Sequence, residues 1–134
     1  MTYTNSHFEY NNFITDSGDF SGNNTPGIPD QAFFAEISYF FNQGSYMKWE
    51  LQKVSEIFLN DSNSEKSEGY RISNLILGYD IQKNNWDLSL FTGINNLFNE
   101  GYSSNLRINA FGGRFYEPAP DRNFYLGFRL RYNR

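Results

Sequence analysis

The chain has no cysteine and one histidine, His7, among its 134 residues. Without cysteine there is no disulfide framework, thiolate metal site or Cys nucleophile. A single His gives a Zn site or a His-dependent triad little to build on, so His7 reads as an ordinary strand or wall residue. No apolar run reaches the ~18 residues of a membrane helix. The start, Met1-Thr2-Tyr3-Thr4-Asn5-Ser6, lacks the basic residues and apolar stretch of a signal peptide. A chain without an export signal is expected to be cytoplasmic, or to be a piece of something longer. Positive charge is scarce as well: 11 Lys and Arg stand against 15 Asp and Glu, for a net charge of −4. The cations are nowhere concentrated, which argues against nucleic acid as a partner.

Aromatic residues are what the chain has in excess, with 14 Phe and 10 Tyr. The mean hydropathy is nevertheless −0.64, because Asn, Ser, Asp and Glu fill the positions between them. Alternating strands joined by polar loops give that combination. The last segment shows it directly: Phe124, Leu126, Phe128, Leu130 and Tyr132 share one face, while Tyr125, Gly127, Arg129 and Arg131 share the other.

Turn-forming clusters divide the chain into about six strand-like segments: residues 3–15, 31–42, 46–60, 70–82, 86–98 and 123–133. Apolar residues alternate in phase along them, as in Met47, Trp49, Leu51, Ile57 and Leu59 of the third. Segments of ~10 residues exceed the ~5–6 of ordinary strands and suit a tilted membrane crossing. The connections alternate long, short, long, short, long, as the external loops and periplasmic turns of outer-membrane barrels do. Tyr39, Phe41, Trp49, Tyr79, Trp86, Phe98 and Tyr132 are expected at strand ends, where interfacial aromatic girdles lie. Six strands do not readily close a barrel alone, and open edges are untenable in hydrocarbon. The expected fold is therefore all-β, an antiparallel arc of a larger transmembrane β-barrel built from up-down hairpins.

Four segments point to a family. Gly93-Ile-Asn-Asn-Leu-Phe-Asn-Glu-Gly-Tyr102 and Asn109-Ala-Phe-Gly-Gly-Arg-Phe-Tyr-Glu-Pro-Ala-Pro-Asp-Arg-Asn-Phe124 resemble signatures near the end of TonB-dependent outer-membrane receptors. Gly22-Asn-Asn-Thr-Pro-Gly-Ile-Pro29 and Ser55-Glu-Ile-Phe-Leu-Asn-Asp61 are similar to earlier segments of the same family. The resemblance covers essentially the whole chain, in order. It implies that residues 1–134 are the C-terminal part of a barrel of about 22 strands, without plug domain or signal peptide, in the cell outer membrane. It implies import of a ferric siderophore, ferric citrate or related chelate, with no enzymatic step and no cofactor. The implied partners are the chelate, outer-membrane lipid, the barrel-assembly machinery, and the TonB complex acting through the missing plug.

In that family a terminal strand with a Gly and two spaced hydrophobes is read by the insertion machinery. Gly127, Leu130 and Tyr132 match it, although the chain continues to Asn133-Arg134. Two further departures are Asp121, where Gly is usual before Arg122, and Lys53, which falls on the lipid-facing row and is expected to snorkel. Arg107, Arg114 and Arg122 are the candidate ligand-binding residues, since guanidinium pairs well with the carboxylates of a chelate.

Other clusters read more plainly. Asp61, Glu65 and Glu68, with Lys66 among them, lack EF-hand spacing and read as a solvated loop. Gly112-Gly113 has no following helix and reads as loop flexibility, while Pro118 and Pro120 stiffen the approach to the last strand. The rival readings are a soluble lipid-binding barrel and a small stand-alone outer-membrane barrel acting as an adhesin or enzyme. The first needs short connections throughout, and the second needs at least about eight strands and an export signal.

Overall fold

The computed structural model describes residues 1–133, with Asn42 described by its backbone alone. In chain order the strands are β1 (Thr2–Asn5), β2 (Ile14–Thr15), β3 (Gly18–Asp19), β4 (Gln31–Phe40), β5 (Ser45–Val54), β6 (Ile57–Phe58), β7 (Lys66–Ser67), β8 (Tyr70–Lys83), β9 (Trp86–Asn95), β10 (Ser103–Leu106), β11 (Tyr116–Pro118) and β12 (Asn123–Tyr132). Six form one antiparallel sheet in the order β1-β4-β5-β8-β9-β12, and the rest form three two-stranded ribbons. No α-helix occurs among the described residues.

Register sorts the side chains into two faces. Ile37, Trp49, Leu75, Ile94 and Phe124 stand opposite one another across five neighbouring strands. Two rows along, Phe128 faces Leu90, which faces Tyr79. Alternation puts the intervening residues on the reverse, so Glu50, Asn74 and Asn95 share the mixed face with Lys48, Asp80 and Arg129. Nothing covers the apolar face: Leu126 is 83% and Phe128 73% exposed. Full burial of each such side chain is worth about 1.5–3 kcal/mol, so a chain surrounded by water would not forgo it along whole strands. This face belongs against hydrocarbon.

The edges lead to the same conclusion. β4 pairs with β1 only as far as Phe34, and β12 pairs only with β9, so both outer edges lack a neighbour among the described residues. An unpaired edge cannot sit in a bilayer. The sheet is an arc of a longer wall.

Short turns join β4 to β5 and β8 to β9. In the first, Gln43 and Gly44 take left-handed φ values of 72° and 86°, and the Phe41 N–H donates to the Ser45 carbonyl at 2.8 Å. A Cβ on Gly44 would collide with the Asp80 carbonyl oxygen, so glycine is required there by both φ and space. In the second, Asn84 takes φ 51°, a conformation that asparagine tolerates.

Three expectations need correction. The first segment is strand only to Asn5, because the chain turns away: the Ser6 N–H donates to the Asp30 carbonyl and the Tyr10 N–H to the Asn23 carbonyl. β5 stops at Val54, so Ile57 and Leu59 are not in its apolar row. Ile57 belongs to the β6–β7 ribbon, and Leu59 is completely buried in the loops. The aromatic girdle is confirmed only in part. Tyr39 meets Phe41 at 4.7 Å and Trp86 meets Tyr132 at 4.9 Å between ring centroids, all near the short turns. Trp49 instead lies in mid-strand, donating from Nε1 to Ser73 Oγ at 2.7 Å, and Phe98 lies in the loop beyond β9.

Candidate ligand-facing wall and loop layer

The mixed face is built from rings laid over glycines. Tyr46 stands opposite Gly78, Gly78 opposite Phe91, and Phe91 opposite Gly127, in one row across β5, β8, β9 and β12. A Cβ on Gly78 would overlap the Tyr46 ring, and one on Gly127 the Phe91 ring. In the next row Tyr125 covers Gly93 in the same way. The aromatic mass therefore lies flat on the wall. A shallow hollow of about 320 Å³ forms beside it, lined by Phe40, Tyr46, Lys48, Asp80, Ser89, Phe91 and Arg129. Charges of both signs surround it, and Lys48 Nζ lies 3.9 Å from Glu36 Oε1. Towards the long loops the wall becomes an amide network. Asn74 Nδ2 donates to Glu50 Oε2 at 3.1 Å, and Asn74 Oδ1 accepts the Asn96 N–H at 3.0 Å.

The three long connections form one layer over that end of the sheet. Asp61 is its hub. Its carboxylate accepts from Tyr10 Oη at 2.7 Å and from Asn109 Nδ2 at 2.9 Å. Its N–H donates to Asn109 Oδ1, and its carbonyl accepts from Asn23 Nδ2. Asn63 exchanges two further bonds with the backbone of Asn24. Burial, followed by the bond to Asp61, raises the Tyr10 pKa above the usual phenol value. Beneath this lattice lie the buried apolar residues Leu59 and Phe115, with Val54 and Ile72 at the sheet's end. Asn63, Asn96, Asn99 and Asn109 all take left-handed φ values, which gives the asparagine-rich loops a conformational reason.

The three candidate arginines occupy different settings. Arg107 follows β10 and binds Glu117 of β11 through Nε at 2.9 Å and through Nη2. The bond from Asn105, followed by Arg107, holds the Glu117 carboxyl below its usual pKa. The Arg107 N–H donates to the Phe115 carbonyl, and Arg107 and Arg114 both lie in the connection between β10 and β11. The Arg114 side chain makes no ion pair among the described residues. Arg122 sits at the base of β12, its N–H bound to Asn99 Oδ1.

Gly127 faces the Phe91 ring, while Leu130 and Tyr132 stand in the apolar row opposite Leu88 and Trp86. His7 follows β1 in the loop, 2.9 Å from Glu9. Sequence reasoning passed over Asn109 and the Asp61 hub. The paired bonds they make are 48 residues apart, and neither residue type carries a distinctive local signal.

An open arc with one face for hydrocarbon, a polar reverse and fused loops at one end is a wall segment of a transmembrane β-barrel. The family model for "TonB dependent receptor-like, beta-barrel" matches residues 1–97, and the chain belongs to that family. The fold also resembles two solved structures. One is BauA, the ferric preacinetobactin receptor from Acinetobacter baumannii, with 19% identity and a TM-score of 0.67 over 88% of this chain and 17% of that one. The other is Fiu, the ferric-catecholate import receptor from E. coli K12 in its closed form, with 20% identity and a TM-score of 0.62 over 90% of this chain and 16% of that one. The chain thus spans about a sixth of the length of either. Both are receptors by name, and barrels of this family reside in the outer membrane.

Proposed function

We propose that residues 1–134 are the C-terminal wall and three external loops of an outer-membrane receptor that imports a ferric siderophore or a related iron chelate. The observation that carries this reading is the pairing of a bare apolar face with loops welded together at one end, in a chain of this family. The wall contributes about six strands to a barrel of roughly 22, and its mixed face lines the lumen against a plug. Energy reaches the plug from the TonB complex, and this segment performs no chemistry. Gly127, Leu130 and Tyr132 serve as the strand read by the barrel-assembly machinery. Among the arginines, Arg114 is the best placed to meet an anionic chelate, because Arg107 is already neutralised by Glu117.

The test is uptake of radiolabelled ferric chelates by an iron-starved strain that lacks its own receptors and carries the complete receptor containing this chain. Uptake that disappears when the TonB gene is deleted supports the reading. Uptake indifferent to that deletion, or none for any chelate despite outer-membrane insertion, overturns it.

A further inference from the structure

One row of the apolar face ends in charge. Tyr3, Phe33, Lys53 and Arg71 stand opposite one another across β1, β4, β5 and β8. Two cations directly opposed on neighbouring strands repel. Neither Lys53 nor Arg71 has a carboxylate within ion-pair distance among the described residues. The nearby Glu56 is held by Lys66 at 2.8 Å. Beside Lys53 lies a cleft of about 290 Å³ lined by Tyr3, Gln31, Phe33, Lys53 and Ser55. The Ser55 hydroxyl already accepts the Gln31 N–H and lies against the Glu56 carbonyl. The Lys53 ammonium is the charged group in the cleft, beside the Tyr3 and Phe33 rings and the Gln31 amide.

The depth of this row in the bilayer follows from β8. Arg71 and Lys83 lie on the same face of that strand, with Leu75, Leu77, Tyr79 and Ile81 between them. The 12 steps separating them, at ~3.4 Å each and a tilt of about 40°, cover roughly 31 Å across the bilayer, the thickness of its hydrocarbon core. Arg71 and Lys53 therefore lie at headgroup level on the loop side.

We propose that Lys53 and Arg71 form an outer-wall site for a phosphomonoester lipid head in the loop-side leaflet, with Tyr3 and Phe33 flanking its first methylenes. A phosphomonoester carries nearly two negative charges, which matches the two cations and removes their repulsion. The inference rests on the membrane-wall reading above.

The complete receptor, purified in mild detergent, is titrated with phosphatidic acid and the bound lipid counted by native mass spectrometry. Outer-membrane insertion is scored separately by heat-modifiable gel mobility. Wild type should hold phosphatidic acid and not phosphatidylcholine. K53Q/R71Q should weaken binding roughly thirtyfold, from the usual contribution of two basic residues at a charged surface. K53R/R71K and Lys83→Gln should leave binding near wild type. Unchanged binding in an inserted K53Q/R71Q receptor overturns the site alone, as does equal loss in Lys83→Gln or failure of K53R/R71K. Displacement by millimolar inorganic phosphate would show a free-anion site and also overturn it. Failure of wild type to insert overturns the membrane-wall reading and this inference together.

Discussion

The sheet and the loop layer obtain their order from different surroundings. In the sheet, neither face is covered by the chain itself: Leu126 and Phe128 are bare on one side, and Lys48, Asp80 and Arg129 border an open hollow on the other. What holds it is register, with ten paired residues between β9 and β12 alone, and rings seated on glycines. The loop layer carries its own core. Leu59 is fully buried, and Asp61, Asn63 and Asn109 tie three connections together. This inverts the usual pattern, in which loops are the mobile parts and the regular elements hold the core. A wall segment is completed by lipid and by the rest of its barrel, so burial within the chain is concentrated in the loops and at the loop-side ends of β5 and β8.

That contrast can be broken at either side, in the complete receptor. Leu59→Ala should have the largest effect, destabilising the loop layer by about 2–5 kcal/mol through the cavity it leaves. Hydrogen exchange of the amides near Leu59 should accelerate equally in detergent and in bilayers. Phe128→Arg should lower stability by about 2–4 kcal/mol, the range for a cation near the bilayer midplane. Equilibrium unfolding from vesicles measures that loss, and the absence of any loss in an inserted Phe128→Arg receptor would contradict the assignment of this face. Gly127→Val should cost about 1–3 kcal/mol, because the Phe91 ring must leave its seat. The double change Gly127→Val with Phe91→Ala should recover part of it.

Tyr10→Phe removes one bond to Asp61 and should cost about 0.5–1.5 kcal/mol, read as faster exchange confined to the loops. The smallest effect expected is that of acid on the β10–β11 ribbon. The Glu117 pKa is lower folded than unfolded, so its contribution is present above the ordinary glutamate pKa and is lost as pH falls through the folded value. Both partners are substantially exposed, and Glu117→Gln should flatten this local dependence without altering the sheet. Tyr10 has the opposite sign. Its pKa is raised, so its contribution is complete below the ordinary phenol value and falls as pH rises through the folded one.

Much of the sheet was legible in the sequence. Phe124 to Tyr132 alternates without interruption, and Asn84-Asn85 and Gln43-Gly44 mark turns at the observed places. The loops were less legible. The short strands of the β6–β7 and β10–β11 ribbons carry no alternation long enough to register, and Leu59 mimicked a strand position because it fell two residues after Ile57. The arginine candidates were found by residue type, but their difference was not visible: Arg107 meets Glu117 across a ribbon with a bulge between Ser103 and Asn105.

By itself the sequence determined that the chain makes long alternating strands with one apolar face, because a period of two is a local property of side-chain order and needs no partner to be read. Its motifs also identified the family. Only the tertiary structure decided which residues share a row, that Asp61 joins three loops, and that Lys53 stands opposite Arg71. Those outcomes depend on register and on contacts between residues tens of positions apart, where one step of slippage would send each side chain to the other face.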